Sequence, residues 1–141
     1  MVERTLAIIK PDGVMMKVAQ QIKGRYTDAG LTIVRARSQI MQWPQAAELY
    51  RDHARKFFFT GAVLAMISGP SIALLLEGEN AVSVVRKLNG ATVPSEAEPG
   101  TIRYDFRSAG GPFNTVHASD SPEAAAREIQ LIFGDTPPDS S

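Results

Sequence analysis

His117 is one of two histidines in the chain, and its setting is the most informative in the sequence. It follows Asn114-Thr-Val, a stretch long enough for a brief strand, and precedes Ser121-Pro122-Glu123. Those three residues make a strong helix start: a serine that can cap, a proline at the first helical position and an acid in the first turn. The free N–H groups and positive end of a helix favour an anion nearby. An imidazole held beside a bound phosphate is a competent nucleophile, and its reference pKa of roughly 6.5 leaves a neutral fraction at neutral pH. Glu128 lies beside Ile129, at the edge of the face that the following helix turns inward. From there its carboxylate can reach back and bond one ring nitrogen, fixing the tautomer and leaving the other nitrogen to attack. Taken alone, a capped loop histidine and a solvated helix glutamate are the commoner readings.

Lys10-Pro11-Asp12-Gly13 is the second candidate. A lysine at a strand end, followed by a rigid turn, can present a compact charge to phosphate. Arg86 and Arg103 are further cations that folding could bring to the same place. Phosphoryl transfer needs such convergence, because the protein mainly positions groups and stabilises charge. Phe57-Phe58-Phe59 can supply a ring for stacking on a nucleobase. Three consecutive aromatics cannot all face one core, so at least one is expected at a binding edge and two packed against neighbouring helices.

The remaining sequence narrows the classes. There is no G-x-x-x-x-G-K-[ST] loop, no G-x-G-x-x-G and no protein-kinase motif set, so any phosphate cradle must be of another kind. No cysteine is present, which excludes disulfides, thiolate metal sites and cysteine nucleophiles. No Asp/Glu/His cluster has metal-ligand spacing, so no metal bound directly by the protein is expected. Lysine plus arginine equals aspartate plus glutamate, and a net charge of zero argues against a nucleic-acid coat or a polybasic membrane anchor. Neither a signal peptide nor a membrane span is visible, and a cytoplasmic address is expected.

Several elements must position these groups. Thr5 to Ile9 reads as a buried strand, broken by the turn chemistry of Lys10 to Gly13. Val18, Ile22, Tyr26 and Ala29 give a helical stripe stopped by Gly30, and a second strand runs from Leu31 towards Ile40. Pro44 is expected at the first position of a helix, and Thr60 as the N-cap of a short one reaching Met66. Ile72 to Leu76 is a third strand; Ala81, Val82, Val85 and Leu88 line a helix closed by Gly90. A long proline- and glycine-punctuated segment from Ala91 to Phe113 follows, of the kind that is usually functional. Asn114 to His117 forms a brief fourth strand, and a last helix ends at Gly134. Without the helical insertion and last helix the order is βαββαβ, an α+β, ferredoxin-like sandwich: a four-stranded antiparallel sheet covered by helices. One domain over 1–134 and a short mobile tail over 135–141 are expected.

Together these pieces resemble the nucleoside diphosphate kinase family. The resemblance runs from Glu3 to about Phe133. It rests on Glu3-Arg4-Thr5, Lys10-Pro-Asp-Gly13, Phe58 with Thr60-Gly61, Ser68-Gly69-Pro70, Pro99-Gly-Thr-Ile-Arg103 and Asn114-x-x-His117-x-Ser-Asp-Ser121, in that order. It implies a ping-pong reaction in which a nucleoside triphosphate such as ATP phosphorylates His117 and a nucleoside diphosphate takes the group away. It implies that His117 is the nucleophile, that Glu128 and Ser119 orient it, and that Lys10 joins them in catalysis. It also implies that Lys10, Tyr50, Arg86, Thr92, Arg103 and Asn114 contact phosphate and sugar, and that Phe58 stacks on the base. Mg2+ would arrive on the nucleotide phosphates. The resemblance further implies a homo-oligomer, tetramer or hexamer, built from dimers. The chain departs from the common family pattern at Phe57, Val93, Tyr104 and Ala118, and by one additional residue before Asn114. A non-catalytic nucleotide-binding module on the same scaffold is the alternative, but it would not need His117 together with Glu128.

Overall fold

Two strands, β1 (Val2–Ile9) and β3 (Ser71–Glu79), form the centre of an antiparallel sheet. Its order is β2-β3-β1-β4, with β2 (Thr32–Gln39) and β4 (Val116–Ala118) at the edges. This is the order of the ferredoxin-like βαββαβ arrangement. The computed structural model describes residues 1–134; the tail expected over 135–141 lies outside the described residues.

In chain order the helices are α1 (Pro11–Met15), α2 (Ala19–Asp28), α3 (Trp43–Leu49), α4 (Phe59–Met66), α5 (Ala81–Asn89), α6 (Ile102–Asp105) and α7 (Pro122–Phe133). Successive side chains of a strand point to opposite faces. Leu6, Ile8, Ala73 and Leu75 therefore enter one core with Leu49, Val63, Met66, Ile132 and Phe133 from α3, α4 and α7. Ala7, Ile9, Leu74 and Leu76 enter a second core with Ile22, Tyr26, Val85 and Ile102 from α2, α5 and α6. The unbroken apolar runs of β1 and β3 follow from burial on both faces. A buried hydrogen bond from Tyr26 Oη to Asn89 Oδ1, at 2.6 Å, joins α2 to α5.

Four local expectations change. The segment from Ala91 to Phe113, expected to be irregular throughout, carries α6, whose first turn is capped by Thr101. The Lys10 to Gly13 turn is the entry to α1, with Pro11 at its first position and Asp12 in its first turn. Helix α4 begins at Phe59, so Thr60 lies inside it and no side chain caps that end. The fourth strand starts two residues later than Asn114, because Thr115 has φ +74 and cannot enter a ladder. Gly90 does close α5, with φ +86, and a Cβ there would lie 2.6 Å from Thr101 Cβ.

Candidate active site

β4 is only three residues long, but its pairing fixes which way His117 faces. His117 lies opposite Ile8 of β1, while Val116 and Ala118 pack with the α2/α5 core. Alternation therefore turns His117 to the α7 side of the sheet. Glu128, buried on α7, meets His117 Nε2 at 2.8 Å through Oε1. A carboxylate oxygen accepts, so Nε2 carries the hydrogen, and in the neutral imidazole Nδ1 is left with its lone pair. Ser119 Oγ donates to the same Glu128 oxygen at 3.0 Å, and Ser119 N donates to Leu6 O at 3.1 Å. Ser119 thus touches the carboxylate and not the imidazole. Ser121 Oγ accepts from Ala124 N and caps α7, as its sequence predicts. The Tyr50 ring stands edge-on to His117, 5.5 Å away between centroids and at 85°.

Lys10 leaves the end of β1 and is only 3% exposed. Its ammonium donates to Pro112 O at 2.6 Å and Asn114 Oδ1 at 2.8 Å. Burial lowers its pKa from 10.5 to about 8; the Asp12 carboxylate pushes back up, and the Arg103 charge adds to the lowering. Asn114 in turn donates through Nδ2 to Thr92 O at 3.1 Å. Arg103, buried on α6, spends three donors on backbone carbonyls: Asn114 O at 3.2 Å, Gly90 O at 2.8 Å and Val116 O at 2.8 Å. Burial lowers its pKa too, opposed by Tyr26 and Tyr50. Burial likewise raises the Tyr50 phenol, with the Arg103 charge as the main opposing influence.

These groups face a cavity of about 1170 Å³. Of the ten residues singled out in the sequence, Lys10, Tyr50, Phe58, Arg86, Thr92, Arg103, Asn114, His117 and Glu128 line it; Ser119 sits behind the wall. Arg86 is at the rim and hydrogen-bonds Asp120. Also at the rim, Arg127 bonds Asp52 at 3.3 Å and holds that carboxyl below its usual range. Among the described residues no group of three His, Cys, Asp or Glu side chains could hold a metal ion. The mouth is aromatic: Phe58 is 43% exposed, and Phe57, at 99%, meets it edge-on with centroids 5.6 Å apart. Only Phe59 joins the core, so one ring packs inward and not two. Across the mouth, Pro112 approaches α4 closely enough that a Cβ on Gly61 would lie 3.8 Å from its Cγ.

Several residues that matter here carry no sequence signal of their own. Pro112 contributes through its carbonyl, which no side-chain pattern reveals. Asp52 and Arg127 look like surface charges until the rim is assembled, whereas Asp120 stands inside the motif that runs from Asn114 to Ser121. Asp12 stands inside the Lys10 to Gly13 signature, which was the one available pointer to it.

Comparison with known proteins gives one consistent result. A family profile described as nucleoside diphosphate kinase matches residues 3–137. A nucleoside diphosphate kinase of Methanosarcina barkeri is 47% identical over 134 residues, covering 95% of this chain and 89% of that protein. One of Bordetella avium is 46% identical over 132 residues, covering 94% and 93%. Among solved structures, the nucleoside diphosphate kinase of Aquifex aeolicus superposes with a TM-score of 0.90 at 39% identity, covering 94% of this chain and 96% of that one.

Proposed function

The chain belongs to the nucleoside diphosphate kinase family, and from that premise we propose that it moves the γ-phosphoryl group of a nucleoside triphosphate such as ATP to a nucleoside diphosphate, reversibly and by way of His117. The observation that carries this reading is the bond between His117 Nε2 and Glu128 Oε1, inside a cavity that also holds Lys10 and Arg103. Nδ1 is the attacking atom. Its lone pair forms the N–P bond while the bond from the γ-phosphorus to the β–γ bridging oxygen breaks, and the diphosphate leaves with that oxygen. Glu128 holds the Nε2 hydrogen throughout and offsets the positive charge that grows on the ring. A second diphosphate enters the same place and takes the group back by the reverse step. Lys10 supplies a preorganised charge for the transferring group, and Arg86, Arg103, Thr92 and Asn114 receive phosphates and sugar. Tyr50 flanks the imidazole and Phe58 offers its face to the base. Ser119 steadies Glu128.

The donor set fits Mg2+ that comes in on the nucleotide. Asp52 and Asp120 stand at the rim, each engaged by an arginine, and are the carboxylates that would face such an ion, which would keep its water and phosphate ligands. The ion neutralises charge on the β- and γ-phosphates when bound. Among the described residues no helix is long and apolar enough to cross a membrane, and a cytoplasmic location is part of the proposal. So is assembly into a homo-oligomer, a tetramer or hexamer of dimers: among the described residues β2 is an edge strand of the sheet, and Ile40 and Trp43 beyond its end are exposed.

The deciding experiment is direct. Protein incubated with ATP and magnesium, without acceptor, should gain one acid-labile phosphoryl group on His117 by mass spectrometry, and a nucleoside diphosphate should discharge it. Nucleotide binding with no phosphohistidine would overturn the reading in favour of a binding module.

A further inference from the structure

The Lys10 to Gly13 turn and the strand of the nucleophile meet at one residue, Thr115. Lys10 N donates to Thr115 O at 2.9 Å, and Asp12 Oδ2 accepts from Thr115 N at 2.9 Å. Gly13 lies so close that a Cβ there would be 2.9 Å from Thr115 O. Thr115 is fully buried, its hydroxyl donates to Phe106 O at 2.8 Å, and its φ is +74. A β-branched residue in that region is strained, and persists only where its surroundings over-determine it. The residues on either side are the ones the site depends on. Asn114 receives Lys10 Nζ on its side chain and Arg103 on its carbonyl, Val116 O also receives Arg103, and His117 comes next.

We propose that Asp12 is a positioning residue for phosphoryl transfer: by accepting the Thr115 N–H it locks Thr115 in its left-handed conformation and thereby sets His117 in register with Lys10 and Arg103. This rests on His117 as the phosphoryl carrier. Asp12 does not line the cavity, so it acts through the backbone and not on the substrate. The turn is also closed by Val116 N, which donates to Asn114 O at 2.8 Å; without the Asp12 acceptor, Thr115 has one restraint fewer against relaxing towards an extended conformation. The Asn114–Thr115 peptide then turns, and the carbonyl that Arg103 holds swings away from it. Recovering the reactive geometry would require rebuilding the strain at each turnover.

The test is the single-turnover rate of protein phosphorylation by ATP and magnesium, with nucleotide affinity, thermal unfolding and amide hydrogen exchange at Thr115 measured alongside. Asp12→Ala and Asp12→Asn both remove the carboxylate charge that Lys10 feels, so their difference isolates the hydrogen bond. Asp12→Asn keeps an acceptor oxygen and should react about tenfold faster than Asp12→Ala, the factor expected for one strained residue released. Nucleotide affinity should hardly differ between them, and Thr115 N–H should exchange faster in Asp12→Ala only. The double variant Asp12→Ala with Thr115→Gly should recover most of the rate, because glycine adopts positive φ freely. Equal rates for Asp12→Ala and Asp12→Asn would overturn the proposal, as would a double variant no faster than Asp12→Ala. Should Asp12→Ala fail to fold, folding of the double variant supports the strain argument, and Thr115 N–H exchange in Asp12→Asn as fast as the N–H exchange at the same position of the double variant overturns it. Hydrogen exchange needs no phosphoryl transfer. A wild type that forms no phosphohistidine while Thr115 still depends on Asp12 would therefore sink the proposed function and leave the clasp standing.

Discussion

Glu128 Oε1 serves two donors at once, His117 Nε2 and Ser119 Oγ, and this shared oxygen sets how substitutions should rank. His117→Gln removes the attacking atom, so no phosphoenzyme should form although the fold and nucleotide binding persist; a rate near wild type would exclude His117. Glu128→Gln keeps a hydrogen-bonding partner for the ring but loses the charge, so the rate should fall by about 10- to 100-fold, as for other groups that orient a reactive imidazole. Equal severity of the two would give Glu128 a more direct part. Lys10 offers a pH prediction. It is useful as an ammonium, and its pKa of about 8 means the charge is present below that value and lost as pH rises through it. The rate at limiting nucleotide, which reports the free protein, should therefore decline on the alkaline side from about pH 8. Lys10→Ala should lack that limb and lose about 3 kcal/mol of barrier lowering, comparable with one preorganised donor. An alkaline limb that survives Lys10→Ala would assign the titration elsewhere.

At the scale of elements, the junctions hold the site more than the helices themselves. Gly90 ends α5 at positive φ, presses on Thr101 at the start of α6, and gives its carbonyl to Arg103. Gly90→Ala should cost about 2 kcal/mol in stability, from the left-handed backbone and the clash together. It should also weaken nucleotide binding by displacing Arg103; unchanged unfolding and affinity would show that the junction yields. The sequence discloses these elements unevenly. Leu6 to Ile9 and Ala73 to Leu76 read as strands because burial on both faces leaves an unbroken apolar run. The α7 start is legible from Ser121-Pro122-Glu123, because its capping is local. The start of β4 is not: Asn114 and Thr115 lie outside it and bond to Lys10 and Asp12, more than a hundred residues earlier in the chain. The aromatic run misleads for a similar reason. Two rings stay outside because they border a cavity, and a cavity exists only once the loop before Asn114 closes against α4. His117, Glu128 and Lys10 could be singled out as candidates from their types and spacing, and the family resemblance raises them above the commoner readings, whereas partners that act through carbonyls, such as Pro112 and Gly90, leave no pattern to read.

For the molecule as a whole, zero net charge conceals a local arrangement: among the described residues Lys10 and Arg103 line one cavity with no carboxylate bonded to them, while Arg86 and Arg127 at its rim are paired with Asp120 and Asp52, and the mouth is aromatic. Buried charge from Lys10 and Arg103 and ring faces at the entrance suit a ligand gripped by its phosphates and accepted with little regard to its base. Phe58→Ala should weaken binding by about 1–3 kcal/mol, and by similar amounts for purine and pyrimidine diphosphates. A loss confined to one class would mean that the base is read and not merely stacked. One further consequence follows from the bond between Lys10 Nζ and Pro112 O, whose residues are 102 positions apart. β1, with its lysine, is synthesised early, yet it waits for β4 and the preceding loop before His117 can stand opposite Ile8. Contacts so distant in sequence are slow to form, because loop closure must precede any gain from pairing. A nascent chain interrupted within residues 91–113 would thus carry most of its hydrophobic cores and no chemistry at all. Two fragments cut there should be inert apart and regain phosphoryl transfer only on reassociation, which makes the activity a late and sensitive reporter of completed folding.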